Sequence, residues 1–262
     1  MIDYIQIASL SIIQGITEFL PISSHAHTIL FPKIMGWEDQ TLFLDICMHF
    51  GSLLAVILFL MINFKSRLKN EFSIAKAPSS IYKIAIATIP AIFFGGLFYN
   101  EISTNMRTVE VIAITTILFA IVIIILEYLV KKDRDITSVN YSDAIIIGLF
   151  QSLALIPGTS RAAVTIMAAL ILGFNKTTSV LISFILSVPV IFCAITYQTF
   201  KLDYSNIESD QIFIVFIAII LSLITSYIVM SFFLRFINSI GLLPFMIYRI
   251  FLGGALLIIF IL

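Results

Sequence analysis

The amino-acid sequence predicts an all-α polytopic membrane protein built from an inverted-topology repeat. Of its 262 residues, 60% are hydrophobic and 11% are charged, and the mean hydropathy is +1.12. A soluble globular domain carries about 45–50% apolar and roughly 25% charged residues, so that class is excluded. We expect one integral membrane domain over residues 1–262, with the first copy of the repeat at about 1–135 and the second at about 140–262.

Charge and cysteine content exclude several other classes of protein. Fifteen basic residues balance fifteen acidic ones, so no net charge favours a nucleic-acid partner. The two cysteines, Cys47 and Cys193, lie in apolar segments without a metal-binding spacing. Neither a disulfide framework nor a zinc site is therefore expected.

Six apolar segments are long enough, or nearly so, to cross a bilayer. The hydrocarbon core is about 30 Å thick and needs about 20 residues of helix. The predicted spans are Thr41–Phe64, Ile81–Tyr99, Val109–Val130, Thr178–Thr199, Ile212–Phe236 and Pro244–Leu262.

The few charged residues indicate which loops face the cytoplasm. Residues 65–83 hold five Lys or Arg against one Glu, and residues 131–134 hold three more basic residues. The loops between the other span ends are acidic or mixed, as at 38–39 and 203–210. Because basic loops remain in the cytoplasm, the first two stretches are expected inside and the other two outside.

Two further apolar stretches are interrupted before they could span. Ile5–Leu20 meets a Pro21-Ile22-Ser23-Ser24 break and resumes at Thr28–Met35. Ala144–Ile156 meets a Pro157-Gly158-Thr159-Ser160 break and resumes at Ala162–Phe174. Each half is too short to cross, so both stretches are interpreted as re-entrant hairpins. Two unrelated proline-kinked helices are the alternative.

The two broken stretches also indicate an internal repeat. Gln14 precedes the first break and Gln151 precedes the second, and three spans follow each hairpin. Three is an odd number, so the second copy must enter from the opposite side of the membrane. The first hairpin would then enter from outside and the second from the cytoplasm. Their polar tips would meet inside the bilayer, where such folds bind ligands.

The tips carry the candidate functional residues, because polar groups within a membrane are costly and usually functional. The first tip and the span after it bring Gln14, Thr17, Glu18, Ser23, Ser24, His27, Asp45 and His49, and the second tip brings Gln151, Thr159, Ser160, Arg161 and Thr165.

These residue types favour phosphate chemistry. Arg161 offers a bidentate fork for phosphate oxygens. Ser23 and Ser24, like Thr159 and Ser160, occupy expected N-cap positions, so the positive ends of two half-helices would face one point. Glu18 would serve as a general base or hold a divalent cation that bridges to phosphate. The alternative is a structural carboxylate paired with Arg161.

Two motifs resemble the signatures of the BacA/UppP family of undecaprenyl-diphosphate phosphatases. The first is the run from Gln14 to Ser24, QGITEFLPISS, followed by His27; the second is PGTSR at 157–161 with Thr165. Smaller matches at 50–56 and 244–249 extend the resemblance from about residue 5 to about residue 255.

The resemblance implies an enzyme of the bacterial inner membrane with its site open to the periplasm. It would hydrolyse undecaprenyl diphosphate to undecaprenyl phosphate and inorganic phosphate. This would recycle the lipid carrier of peptidoglycan synthesis and confer resistance to bacitracin. The family is similar in needing a divalent cation, Mg²⁺ or Ca²⁺, and the resemblance leaves a homodimer open.

By motif position, the resemblance implies that Glu18, Ser23, Ser24 and His27 form one half of the site and that Ser160 and Arg161 form the other. The residue types at the two tips supply the expected mechanism. Glu18, with the cation, and His27 would activate Ser24 for attack on the terminal phosphorus, and Arg161 would stabilise the developing charge. His27 or water are the alternative nucleophiles. Phosphate would be held by Ser23, Thr159, Ser160, Arg161 and Thr165; Gln14, Thr17, Asp45, His49 and Gln151 would support the site; and Glu18 with Gln14 and the substrate phosphate would hold the cation.

Departures and rivals qualify this interpretation. The chain has Ala162-Ala163 where the family usually has Ser-Gly, which indicates that this position helps to bind substrate or to pack the site rather than to catalyse.

A lipid-phosphate transporter or flippase is the rival function, since inverted repeats with broken helices also suit alternating access. An ion channel finds little support because no continuous polar stripe follows any span. The motifs of type 2 phosphatidic acid phosphatases are missing from the sequence.

Overall fold

The protein is helical throughout the part of the chain that the structure describes. The computed structural model describes residues 4–37, 40–66, 78–106, 108–130, 133–202 and 212–260. The helices there are α1 (Tyr4–Thr17), α2 (Ser24–Met35), α3 (Leu42–Ser66), α4 (Pro78–Asn105), α5 (Val109–Leu129), α6 (Tyr141–Ser152), α7 (Arg161–Ile171), α8 (Lys176–Lys201), α9 (Ile212–Ile240) and α10 (Leu243–Phe260). Most of the predicted topology markers, namely 67–76, 131–132, 38–39 and 203–210, lie outside the described residues.

The predicted all-α membrane architecture is confirmed at the level of its helices. Within the described ranges, five helices (α3, α4, α5, α8 and α9) are long and apolar enough to cross a membrane. The sixth predicted span corresponds to α10, whose 18 residues are near the lower limit for crossing. Large apolar side chains such as Leu129, Phe200 and Phe251 are more than 70% exposed, which a lipid environment accommodates.

Both interrupted stretches break as expected, although the helix ends differ from the sequence prediction. α1 ends at Thr17 rather than near Leu20, and α2 begins at Ser24, before the predicted Thr28. The segment 18–23 between α1 and α2 is termed the first tip, and the segment 153–160 between α6 and α7 the second tip. Each tip ends on a serine with positive φ, 74° at Ser23 and 68° at Ser160. These serines start the next helix abruptly, which hydropathy alone does not reveal.

The helices of the two halves pack against one another rather than forming separate bundles. α1 packs along α9, α6 packs along α4, α3 contacts both α8 and α9, and α5 pairs with α10. Gly15 lets α1 approach α9, since a β-carbon there would meet the Ser222 carbonyl oxygen at 2.8 Å. Gly148 does the same for α6, where a β-carbon would lie 2.7 Å from the Ala87 carbonyl oxygen. Small residues at crossing points are typical of membrane helix packing.

Aromatic side chains fill the core beside the first tip. Phe184 of α8 lies edge-on to Phe19 and to Phe59, with both centroid separations at 5.7 Å. All three rings are at most 2% exposed. Edge-to-face contacts of this kind add specificity to apolar burial, so the cluster fixes the position of the first tip against α3 and α8.

Arg249 of α10 joins the two tips to each other. Its side chain is fully buried. Its guanidinium donates to the carbonyl oxygens of Pro21 (3.1 Å), Gly158 (2.9 Å) and Thr159 (3.0 Å), and to that of Thr116 in α5 (3.1 Å). Because no water is available in the bilayer core, carbonyl groups freed by broken helices need such internal donors.

Replacing Arg249 with lysine is expected to destabilise the protein. An ammonium group cannot reproduce the planar set of donors, so at least one tip carbonyl would lose its partner, at a cost of about 1–3 kcal/mol. The melting temperature in detergent should therefore fall for Arg249→Lys. The matched control is Arg235→Lys, because Arg235 is exposed on α9 and faces the Phe236 ring. Equal melting of both variants and the wild type would refute this role of Arg249.

Candidate active site

The carboxylate of Glu18 is the centre of the candidate site. Glu18 follows the last residue of α1, and its side chain is only 7% exposed. Its Oε1 accepts a hydrogen bond from Arg161 Nη2 at 2.8 Å. Its Oε2 accepts from Ser24 Oγ at 2.9 Å and from Gln14 Nε2 at 3.0 Å. Both tips therefore meet on one carboxyl group.

Two of the residues that bind the Glu18 carboxylate are the first residues of their helices. Ser24 begins α2 and Arg161 begins α7, so the N-termini of both half-helices face Glu18. Ser160 caps α7 by accepting the Ala163 N–H at 3.3 Å, whereas the Ser23 side chain makes no capping bond. Two helix N-termini around one point favour negative charge there, as the sequence analysis expected.

Arg161 is held in place by α8. Its Nη1 donates to the Ser183 carbonyl oxygen at 3.2 Å, and its guanidinium lies 5.6 Å from the Phe19 ring centroid. Thr165 donates through its hydroxyl to the Ser183 hydroxyl at 2.8 Å and to the Arg161 carbonyl oxygen at 2.9 Å. The hydrogen bonds of Arg161 to Glu18 and Ser183 leave other N–H groups of its guanidinium to contact a phosphate.

The two histidines predicted to contribute occupy different positions around the carboxylate. His49 of α3 lies with Nε2 4.0 Å from Glu18 Oε2, and its Nδ1 donates to the Asp45 carbonyl oxygen at 2.8 Å. His27 donates from Nδ1 to the Ser23 carbonyl oxygen at 2.7 Å. In the neutral ring, Nε2 of His27 then accepts from the Tyr248 hydroxyl at 2.5 Å.

Four of the predicted residues direct their polar side-chain atoms elsewhere. Thr17 donates to the Ile13 carbonyl oxygen at 2.7 Å, and Gln151 donates to the Ala87 carbonyl oxygen at 3.1 Å. Thr159 donates within the second tip, to the Leu153 and Ile156 carbonyl oxygens. Asp45 accepts from Gln40 Nε2 at 3.2 Å. Their predicted contacts with phosphate or with the catalytic groups stay predictions.

Sequence reasoning overlooked three residues that organise the site. Arg249 joins the tips, Tyr248 contacts His27, and Ser183 positions Arg161. An arginine inside an apolar helix is itself a signal of function, so Arg249 could have been singled out. Ser183 gave no comparable signal, because it binds Arg161 through a backbone carbonyl, which every residue carries.

A divalent cation would find oxygen ligands beside Glu18. Gln14 is fully buried, and its Oε1 has no hydrogen-bond partner. Among the described residues no cluster of three His, Cys, Asp or Glu side chains could hold a metal ion. The carboxylate of Glu18 and the amide oxygen of Gln14 are oxygen donors of the kind that Mg²⁺ prefers, so these two residues could hold a cation.

Comparison with known proteins identifies the family. The model of a family described as "Bacitracin resistance protein BacA" matches residues 7–255. An undecaprenyl-diphosphatase of Teredinibacter turnerae is 42% identical, over 98% of this chain and 99% of the relative. An undecaprenyl-diphosphatase of Saccharophagus degradans is 40% identical, over 97% of each chain. One from Campylobacter curvus is 39% identical, over 99% of this chain and all of the relative. This chain therefore belongs to the BacA family of bacitracin resistance proteins.

Proposed function

We propose that this protein hydrolyses undecaprenyl diphosphate to undecaprenyl phosphate and inorganic phosphate. The observation that carries the proposal is the contact of Ser24 and Arg161 with the same buried carboxylate of Glu18. Relatives covering nearly the whole chain are named undecaprenyl-diphosphatase, which supports the substrate. The reaction recycles the lipid carrier used in cell-wall synthesis and underlies the bacitracin resistance of the family.

Ser24 is the proposed nucleophile and Glu18 its general base. The Ser24 hydroxyl already donates to Glu18 Oε2 at 2.9 Å, within the distance required for proton transfer. As the serine oxygen forms a bond to the terminal phosphorus, its proton passes to Glu18 and the bond to the leaving undecaprenyl phosphate breaks. Water then cleaves the phosphoserine and releases phosphate. Direct attack by water or by His27 is the alternative, and His27 first requires release of Nε2 from Tyr248.

Arg161 and the two half-helix N-termini are the proposed stabilisers of the transition state. Charge on the equatorial oxygens of a transferring phosphoryl group is best stabilised by groups already in position. The Ser183 carbonyl and the Phe19 ring hold the guanidinium before substrate arrives. Ser23 and Ser160, the residues that precede the two half-helices, are proposed to contact the substrate phosphate.

A divalent cation, Mg²⁺ or Ca²⁺, is proposed to bind Glu18, Gln14 and the substrate phosphate. When bound, it would neutralise phosphate charge that Glu18 would otherwise repel. The unpartnered Gln14 Oε1 supports this assignment. Gln14 also donates to Glu18 through Nε2, so one side chain can orient the carboxylate and offer an oxygen.

A largely apolar groove beside the second tip, which also includes Glu101 and Ser152, is proposed to hold the isoprenoid chain. Phe94, Phe98 and Ile102 of α4 line it on one side, and Leu155 and Ile156 of the second tip line it on the other. A long hydrocarbon chain would leave the site along such a surface without crossing water. We propose that the first isoprene units of the substrate pack there.

The chain is proposed to be an inverted repeat in the inner membrane with its site open to the periplasm. Ser23 and Ser160 are the non-glycine residues with positive φ in the described ranges, and each precedes a re-entrant half-helix. α1 packs along α9, and α6 packs along α4. A two-fold exchange of the halves would replace α1 with α6 and α9 with α4, so each helix pair is the counterpart of the other. These helix pairs support two related halves of opposite orientation.

Phosphate release from undecaprenyl diphosphate by purified protein with Mg²⁺ tests the function. Ser24→Ala, Glu18→Gln and Arg161→Lys should each lower phosphate release at least about 100-fold, because they remove the nucleophile, the general base and the bidentate guanidinium, respectively. Ser231→Ala is the matched control: this serine of α9 donates only to the Tyr227 carbonyl oxygen and should leave release unchanged. Tight lipid binding without release by the wild type would contradict the phosphatase and favour the lipid transporter.

The cation proposal predicts a specific effect of Gln14. Chelation should abolish phosphate release, and Gln14→Leu should raise the half-saturating Mg²⁺ concentration about tenfold, because one oxygen ligand is lost. Gln151→Leu is the control, since Gln151 has the equivalent place in the second hairpin and also a buried unpartnered Oε1. The same Mg²⁺ requirement in wild type and Gln14→Leu would remove Gln14 from the cation site.

The proposed topology places the open ends of the two hairpins on opposite faces of the membrane. In a background with Cys47 and Cys193 replaced, Lys33→Cys should react with an impermeant maleimide in intact spheroplasts. Thr137→Cys should react only after permeabilisation. Both positions are exposed, so access decides the labelling. Labelling of both cysteines from one side would contradict the inverted arrangement.

A further inference from the structure

A second cavity opens between α4, α6 and α8. Its interior volume is about 80 Å³, and it opens to the surface of the protein. Its walls are almost entirely aliphatic, with Ser80 and Lys83 as the polar exceptions; the apolar lining includes Ile84, Ala87, Ile136, Ala144, Ile147 and Leu186. We refer to this cavity as the α4–α6–α8 cleft.

Lys83 places a positive charge at the edge of this cleft. Its ammonium donates to the Val139 carbonyl oxygen at 2.7 Å and lies 5.6 Å from the centre of the Tyr141 ring. Among the described residues no carboxylate pairs with it, whereas the neighbouring cations Arg134 and Lys176 are paired with Asp143 and Glu127. A half-buried ammonium without an acidic partner favours an anionic ligand.

The position of the cleft in the fold matches the edge of a membrane rather than its centre. Lys83 lies in the first turns of α4, four residues into the candidate span Ser80–Phe98. Tyr141, at the start of α6, is 47% exposed. Lysine and tyrosine side chains are typical of the level of lipid headgroups, where a charged end and an apolar body meet different surroundings.

We propose that the α4–α6–α8 cleft binds an anionic phospholipid of the surrounding membrane. The headgroup phosphate pairs with Lys83, and one acyl chain lies against the aliphatic wall. Basic pockets between transmembrane helices recognise acidic lipids in this way. The charge of Lys83 selects acidic over zwitterionic headgroups.

The cleft is separate from the site that holds Glu18 and Arg161. On α6 it uses Ala144 and Ile147, near the beginning of the helix, whereas the second tip follows the helix end. On α8 the side chains of Ile182 and Leu186 face the cleft, while the Ser183 carbonyl oxygen binds Arg161. A substrate phosphate at Glu18 and a lipid phosphate at Lys83 therefore occupy different places.

Lipid binding measured by native mass spectrometry tests this site on the intact protein. The wild type should bind phosphatidylglycerol more tightly than phosphatidylcholine. Lys83→Gln should weaken phosphatidylglycerol binding about fivefold, and Lys83→Arg should preserve it. Lys201→Gln is the matched control, since Lys201 also faces a tyrosine ring, that of Tyr197 at 5.7 Å, at the far end of α8. Equal binding by the wild type and Lys83→Gln would overturn the proposal.

A substitution that fills the cleft separates lipid binding from loss of folding. Ala144→Phe keeps Lys83 but occupies the space of the acyl chain, so phosphatidylglycerol binding should fall while phosphate release persists. Retention of full lipid binding in this variant would overturn the proposal. So would displacement of phosphatidylglycerol by inorganic phosphate alone, which would indicate a simple anion site. Preferential displacement by undecaprenyl phosphate would instead assign the cleft to the reaction product.

Discussion

The need to pair every backbone carbonyl that a helix break frees is the constraint on which the rest of this structure depends. Two helical stretches break inside the protein, at the first and second tips, and the carbonyl groups buried there must find donors within the protein. Arg249 supplies donors to carbonyls of both tips, and the hydroxyls of Thr115 and Thr116 bond the carbonyl oxygens of Pro157 and Gly158. The second tip is consequently fixed against α5 and α10, and both tips are fixed to each other. Because the tips cannot move independently, Ser24 and Arg161, which begin the helices that follow, are held together at Glu18.

The helix breaks that leave carbonyl groups without helical partners also create the candidate site. A helix that begins inside the membrane presents its unpaired N–H groups and the positive end of its dipole to that interior point. Two such beginnings at one place favour an anionic group, and the Glu18 carboxylate lies at that place. A diphosphate would bind the N–H groups of Arg161 that Glu18 and Ser183 leave available. The ion pair of Glu18 and Arg161 is therefore a structural contact that also holds the guanidinium in position for substrate.

The sequence predicted much of the fold because membrane insertion leaves strong compositional signals. Long apolar runs located α3, α5, α8, α9 and α10 to within a few residues, and α4 continues six residues beyond the predicted end at Tyr99. Proline followed by hydroxyl residues located both breaks. The helix ends were less accurate at α1 and α2, because Ser23 adopts a positive φ that depends on its surroundings. In the site, Glu18 and Arg161 were identified as charges at breaks, whereas the hydroxyl of Thr159 and the amide of Gln151 contact backbone instead, since local tip geometry and the approach of α4 determine their partners.

The sequence by itself thus determined the class of protein, the spans, the two breaks and the charged residues at them. These features follow from local composition, because charges and unpaired backbone groups are energetically costly in a nonpolar environment and are retained mainly where they have a function. Tertiary structure decided which groups meet. Arg161 reaches Glu18 across 143 positions of sequence, and Arg249 reaches Pro21 across 228. Contacts at such separations depend on how α1, α7 and α10 rotate and pack against one another, and the helical periodicity of each segment does not contain that information.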